Sequence, residues 1–213
     1  MTEVYIEKGT KRVFACALDW PGWCRTAKTE EAALEALAAT ATRYAVFARQ
    51  AKVPFNPATA ATFKVVERLP GTMTTDFGAP DAQAKADRTR LAGKEAEQIA
   101  SLLEAGWVVF DRVVKKAPAS LRKGPRGGGR DRDEIVEHVA GAEDAFARKI
   151  GIRVKDTAPR RAAILELLRG GTGPLANAEK GWPPRYAGDA SPGTSSTTPG
   201  KSKTAASSDA LPS

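Results

Sequence analysis

Few side chains in this chain carry ready acid–base, nucleophilic or metal chemistry: one histidine, His138, and two cysteines, Cys16 and Cys24. His138 sits in a stretch whose apolar residues Ile135, Val136, Val139, Ala142, Phe146 and Ile150 recur at helical spacing. That period puts it at the inner edge of the stripe, facing a helical interior or its rim. One imidazole does not hold a catalytic metal, because such sites take three protein ligands. On periodicity alone, a core-edge histidine satisfied by a hydrogen bond is the simpler reading. The cysteines match no zinc pattern and fit a reducing compartment. No nucleophile–base pair is recognisable by spacing.

Two other groups invite a functional reading. Residues 115–130, KKAPASLRKGPRGGGR, hold six basic side chains and no acid. Within them Arg126, Gly127, Gly128, Gly129 and Arg130 would let backbone N–H groups approach an anion just ahead of a helix N-terminus. A solvated interhelical loop is the alternative, and no Walker-type Gly-Lys-Ser/Thr sharpens the choice. Trp20 and Trp23 flank a Pro21-Gly22 turn. Exposed, they are partner anchors; buried, they cap the core of a sheet.

The elements that must position these groups fall into four pieces. In residues 1–70, VYIE and RVFACALD are β-prone runs separated by Lys8-Gly9-Thr10, and GWCRTA makes a third strand. Thr29 caps a helix that carries Glu30 and Glu31 in its first turn, where the dipole favours anions. Its stripe of Leu34, Leu37, Ala38, Ala41, Tyr44 and Phe47 faces the sheet, and FKVVERL returns as a strand. The predicted order is β-β-β-α-β, a small α+β layer. Residues 71–89, with two glycines, a proline and small polar side chains, read as a linker or a loop crossing the surface.

Residues 90–187 read as helical. Leu91, Ile99, Leu102, Leu103, Phe110, Val113 and Val114 make one stripe, which Pro118 ends. DRDE opens a second helix, with Asp131 and Glu134 in a capping-box arrangement. APRRAAILELLRG is a third, stopped at Gly170-Gly171. Three such helices make an up-and-down bundle one helix short of the usual four. The fold class is therefore α+β, with an incomplete all-α bundle after the N-terminal layer. Residues 188–213, rich in Ser, Thr, Pro and Gly, bury too little apolar surface to order and are expected to be a disordered tail.

Composition sets wider bounds. Hydrophobic residues at 42% and charged residues at 27% suit a folded globular chain, and no apolar run is long enough for a membrane span. The first 25 residues lack the apolar core of a signal peptide, so a cytoplasmic location is expected. The net charge of +8 permits contact with nucleic acid. Basic residues without interleaved aromatics make a poor single-strand platform, and that partner class stays open.

Two resemblances add to this reading. LDWPGWCRTAKTEEAALEAL is similar to the core of the HicB-like family, with its Asp-x-Pro-Gly turn, a Thr before the helix and a Glu-Glu-Ala helix start. The resemblance covers about 65 residues and implies a degenerate RNase H-like layer that holds a partner protein. The DNA-binding companion usual in that family is not visible in this chain. LRKGPRGGGRDRD followed by EIVEHVAGAEDAFARKIG resembles the second helix of DinB-like bundle proteins. By that resemblance His138 is the first of three ligands to a divalent metal (Zn, Ni or Mn), the other two coming as His-x-x-x-His from the last helix. Residues four apart face the same way on a helix, so both imidazoles could meet one ion. The implied activity is metal-dependent transfer or isomerisation with low-molecular-weight thiols, in which the metal lowers the thiol's pKa.

This chain lacks that last helix and its histidines. Read two bases later, codons for GDASPGTSSTTPGKSKT permit RRVAWHVLDHAWEIED, an amphipathic stretch with His-x-x-x-His. The tail is accordingly expected to be a frame-shifted reading of the missing helix. Two functions remain: a metal-dependent thiol enzyme whose site is incomplete here, or a non-catalytic module that binds a protein or nucleic acid. Apolar helix faces without their fourth wall also invite homo-oligomers. With one ligand of three, the chain as written is expected to retain no catalytic metal. Elemental analysis of purified protein checks this, and one tightly held ion per chain would overturn it.

Overall fold

The computed structural model describes residues 1–89, 91, 93–123, 129–170, 183, 185 and 186. Expectations for Arg126, Gly127, Gly128 and residues 188–213 therefore fall outside the described residues. Within them the fold is α+β. A mixed four-stranded sheet is built from β1 (Thr2–Lys8), β2 (Val13–Ala17), β3 (Cys24–Ala27) and β4 (Phe63–Pro70), in the order β3-β2-β1-β4. β1 runs antiparallel to β2 and parallel to β4. A parallel pair needs a crossover, and α1 (Glu30–Ala38), α2 (Ala41–Gln50) and α3 (Pro57–Ala60) supply it.

The predicted single crossover helix is broken. Thr29 caps α1 by accepting from the Ala32 N–H at 3.2 Å. The chain then pauses at Ala39-Thr40, where Thr40 turns its hydroxyl back to the Leu37 carbonyl at 2.8 Å. That local bond competes with helix continuation, and α2 starts afresh with Tyr44 and Ala48 on its buried face. Between the sheet and these helices lie Val4, Ile6, Val13, Ala15, Trp23, Ala33 and Leu37, with Phe63 and Val65 packed against them.

β4 carries a bulge: opposite Val4 and Tyr5 it spends Val65, Val66 and Glu67. The extra residue flips the side-chain parity, so Leu69 joins the opposite face of the sheet. It also leaves Val66 exposed on an edge strand whose outer side chains include Lys64 and Arg68, a composition that discourages pairing with another chain.

Residues 71–89 are more than a linker. They carry α4 (Met73–Phe77) and a 3-10 turn at Lys85–Arg88, and they cover the second face of the sheet. Charge ties them down. Buried Glu7 of β1 accepts the Thr75 hydroxyl and the N–H groups of Asp81 and Ala82, both at 3.0 Å. Burial raises the Glu7 pKa, against the lowering effect of those donors. Asp76 accepts the Thr10 hydroxyl and the Lys11 N–H at 2.7 Å across the β1–β2 turn, which holds its pKa low. Gly71 has no room for a side chain: a Cβ there would lie 2.7 Å from the Gly9 nitrogen.

The helical part follows its predicted boundaries closely, as α5 (Gly93–Lys116), α6 (Arg132–Lys149) and α7 (Thr157–Gly170). Leu91, Ile99, Leu103, Trp107, Ala147, Ile164 and Leu168 form its core. Leu102, one residue from Leu103, packs instead into the core of the sheet layer. No helix among the described residues is long and apolar enough to cross a membrane.

Asp87, at the end of the strap, is 1% exposed and accepts the Ala84 N–H at 2.7 Å. Burial lifts its pKa from 3.8 to about 6, although the Ala84 N–H and the Arg185 charge pull the other way. The folded state thus holds this proton more tightly than the unfolded chain does. The stability it contributes is complete below about pH 4 and is lost as pH rises through 6. Asp87→Asn is expected to be more stable than wild type at pH 8, by about 1–3 kcal/mol, with the difference vanishing near pH 4. Urea unfolding across that range checks the sign.

Candidate functional site

The Trp20-Pro21-Gly22-Trp23 stretch closes as a β-turn. The Trp23 N–H donates to the Trp20 carbonyl at 3.0 Å, and Gly22 at its third position has a φ of 73°. Proline second and glycine third with positive φ is the chemistry of a type II turn. The Tyr44 hydroxyl fastens it from α2 by donating to the Pro21 carbonyl at 3.0 Å. The two tryptophans leave this turn in different directions. Trp23 is 1% exposed, stacks on Tyr44 at 5.5 Å and donates its indole N–H to the Leu37 carbonyl and the Thr40 hydroxyl. It presents no surface to a partner, so of the two readings offered for Trp20 and Trp23 the core cap holds for Trp23 and the anchor does not.

Trp20 is half-buried and stands edge-on to Phe55, with ring centroids 4.7 Å apart. Both line a cleft of about 960 Å3 between this turn, the loop before α3 and the first turns of α5. Pro54, Phe55 and Ile99 give it apolar walls; Asp19, Lys94, Glu95 and Gln98 give it polar ones. Gln98 donates to the Asp19 carbonyl at 3.0 Å, joining α5 to the turn. Arg185 lies behind this edge and braces two of its carboxylates. It is 4% exposed and ion-paired to Glu95 and, at 3.1 Å, to Asp19, while donating to the Leu18 carbonyl at 3.2 Å. Two carboxylates are thus balanced by Arg185 and Lys94, so the cleft carries no strong field. Such a site favours an uncharged or mixed-charge ligand over a polyanion.

His138 is placed differently from its predicted orientation. It is exposed on α6. The side of α6 that is fully buried carries Glu143 and Ala147, a step of about 100° around the helix from Ala142 and Phe146. The cause is an ion network that hydropathy reads as surface. Glu143 is 1% exposed and takes Arg161 on both oxygens, at 2.9 and 3.1 Å, with Arg160 at 3.8 Å. Arg160, 2% exposed, donates to the carbonyls of Ala140, Val154 and Lys155. Arg161 also reaches Asp111 at 2.9 Å and lies over the Trp107 ring at 5.1 Å, so all three long helices meet here. Among the described residues, no three His, Cys, Asp or Glu side chains are grouped to hold a metal ion.

Of the expected anion loop, Gly129 and Arg130 are described. Gly129 has a φ of 144°, a region open to glycine. The N-terminus of α6 is already served by the chain's own acids. The Asp131 N–H donates to Glu134 at 2.8 Å, and the Asp131 carboxylate takes Lys123 at 2.8 Å and the Leu121 N–H at 3.0 Å. Lys123 foremost, then the Leu121 N–H, hold the Asp131 carboxyl below its ordinary range.

Comparison of the chain with protein-family models, with curated proteins and with solved structures finds no match. The geometry of the cleft and of the buried network therefore carries the argument. Removing Glu143 takes the buried carboxylate from buried Arg160, leaving it Asp144 at 3.9 Å, and takes one of two carboxylate partners from half-buried Arg161. Glu143→Ala is expected to cost about 3–5 kcal/mol, more than a triple replacement of Glu143, Arg160 and Arg161 by apolar residues of similar volume. Chemical denaturation of both variants checks the order.

Proposed function

We propose that this chain is a binding module that takes a protein partner through the cleft beside Trp20, with no catalytic step of its own. The observation that carries the reading is Trp20 itself: a half-buried indole on the wall of a large cleft, held by a turn fastened to the core. Large aromatic side chains in rigid, partly desolvated settings supply a disproportionate share of binding energy at protein interfaces. The balanced charge of Asp19, Glu95, Lys94 and Arg185 suits a peptide segment with an apolar side chain flanked by polar groups. It suits a phosphate backbone poorly, since that needs uncompensated Lys and Arg.

The resemblance of residues 18–37 to HicB-like modules, many of which hold a partner protein, points the same way. The metal-dependent thiol chemistry implied by the DinB-like resemblance has less support. It would start from His138, which faces solvent away from the buried side of α6.

Affinity capture on the full chain, followed by calorimetry with the recovered partner, tests the reading. Trp20→Ala is expected to weaken binding by about 30-fold or more with unchanged circular dichroism. Val113→Ser, at an exposed site on α5, should leave binding intact. Equal binding by Trp20→Ala, or capture abolished by nuclease, would overturn a protein partner in this cleft.

A further inference from the structure

Cys16 and Cys24 are directly opposed on β2 and β3. The adjacent pair is Ala17 and Trp23, and the Ala17 N–H donates to the Trp23 carbonyl at 3.0 Å. Bonded and non-bonded pairs alternate in an antiparallel ladder, so Cys16 and Cys24 form a non-hydrogen-bonded pair, where Cα atoms approach to about 4.5 Å. Disulfides span Cα separations of about 4.4–6.8 Å. Both side chains lie on the strap side of the sheet, in one cluster with Tyr5, Phe14, Leu18 and Ala84. Neither is in a disulfide, and the Cys16 thiol hydrogen-bonds with Cys24.

We propose that Cys16 and Cys24 are a modification site that a peroxide oxidises to a cross-strand disulfide, independently of what the cleft binds. Both thiols are buried to nearly the same degree, and the proposed oxidation starts at Cys24 on the edge strand β3. Its thiolate sulfur attacks one peroxide oxygen and the O–O bond breaks. The displaced hydroxide takes up the thiol proton and leaves as water, with sulfur oxidised by two electrons to the sulfenic acid. The Cys16 sulfur then attacks the Cys24 sulfur and the S–O bond breaks. Hydroxide leaves with the Cys16 proton as a second water. One peroxide is reduced, two thiols are oxidised, and the S–S bond forms.

Burial pushes the Cys16 thiol pKa up, as does the neighbouring Cys24. Little Cys16 thiolate exists at neutral pH, and with both thiols buried the reaction is slow until the strap over the sheet opens. The product closes a short loop around Asp19, Trp20, Pro21 and Gly22, stapling the turn to the sheet.

The test treats the native full chain with hydrogen peroxide and follows intact mass. The expected result is the loss of two hydrogens in the monomer, one cross-linked peptide pair spanning Cys16 and Cys24, a raised melting temperature, and reversal of all three by dithiothreitol. Cys24→Ser should show neither the loss of two hydrogens nor the rise in melting temperature. Stable addition of oxygen without hydrogen loss, or a disulfide joining two chains, would overturn the proposal. So would no change in mass under conditions that oxidise the thiols of the urea-unfolded chain.

Discussion

Leu102 and Leu103 are neighbours on α5 yet serve different interiors, one beneath the sheet layer and one in the helical core. Adjacent side chains on a helix diverge by about 100°, so a single helix can feed two cores only if it lies wedged between them. That wedge governs much else. It brings the first turns of α5 against the Asp19–Trp23 turn, and the space left over is the cleft. It also gives Gln98 and Arg185 their task of stitching α5 to the turn through Asp19, Leu18 and Glu95. A separate bundle tethered by a linker would have neither contact.

Charge inside the protein holds elements that burial alone would leave loose. Arg160 and Arg161 meet Glu143 between helices, Glu7 holds the strap of residues 71–89 over the sheet, and Asp87 fixes the turn within that strap. Apolar surfaces attract without direction, and a strap of small residues such as Ala82, Ala84 and Ala86 offers few shapes to distinguish one register from another. A carboxylate such as Glu7, which accepts the Thr75 hydroxyl and the Asp81 and Ala82 N–H groups, does distinguish them, because a slipped register would leave a buried charge unpaired. The cost shows at Glu7 and Asp87, whose pKa values burial raises.

These charges also mark where the sequence was legible and where it was not. Periodicity located α5, α6 and α7, since their apolar residues recur cleanly and Pro118, Asp131 and Gly170 punctuate them. The sequence order of strands and crossover was legible in β-prone runs around a capped helix, whereas the sheet order β3-β2-β1-β4 and the parallel pairing of β4 with β1 came only from the structure. Counting Glu143 as surface rotated the inferred face of α6 and turned His138 inward. Alanine-rich residues 82–86 looked like linker because their burial depends on Glu7 and Asp87, residues distant in sequence or themselves charged. The break at Thr40 was invisible for a related reason: a hydroxyl bonded to Leu37 interrupts the helix without a glycine or proline to announce it. Arg185 carries no sequence signal for its place, since its partners Asp19 and Glu95 belong to other elements.

The stretch Asp-Trp-Pro-Gly-Trp-Cys organises both the turn and the cleft. Proline and glycine set the turn, and the turn sends one tryptophan inward and the other to the cleft. Because Trp23 is pinned by Leu37, Thr40 and Tyr44, Trp20 stands on a fixed base and would lose little conformational freedom to the proposed partner. Cys24 follows at once, which puts the thiol pair at the foot of the same turn. A covalent link there would act on the loop that shapes the cleft, through backbone that Trp23 already holds nearly rigid. The coupling between redox state and cleft is therefore limited by how far Trp20 and Asp19 can still move once Trp23 is fixed. A reduced turn anchored this firmly has little slack for a disulfide to remove, so oxidation should alter the lifetime of the folded turn more than the shape of the cleft.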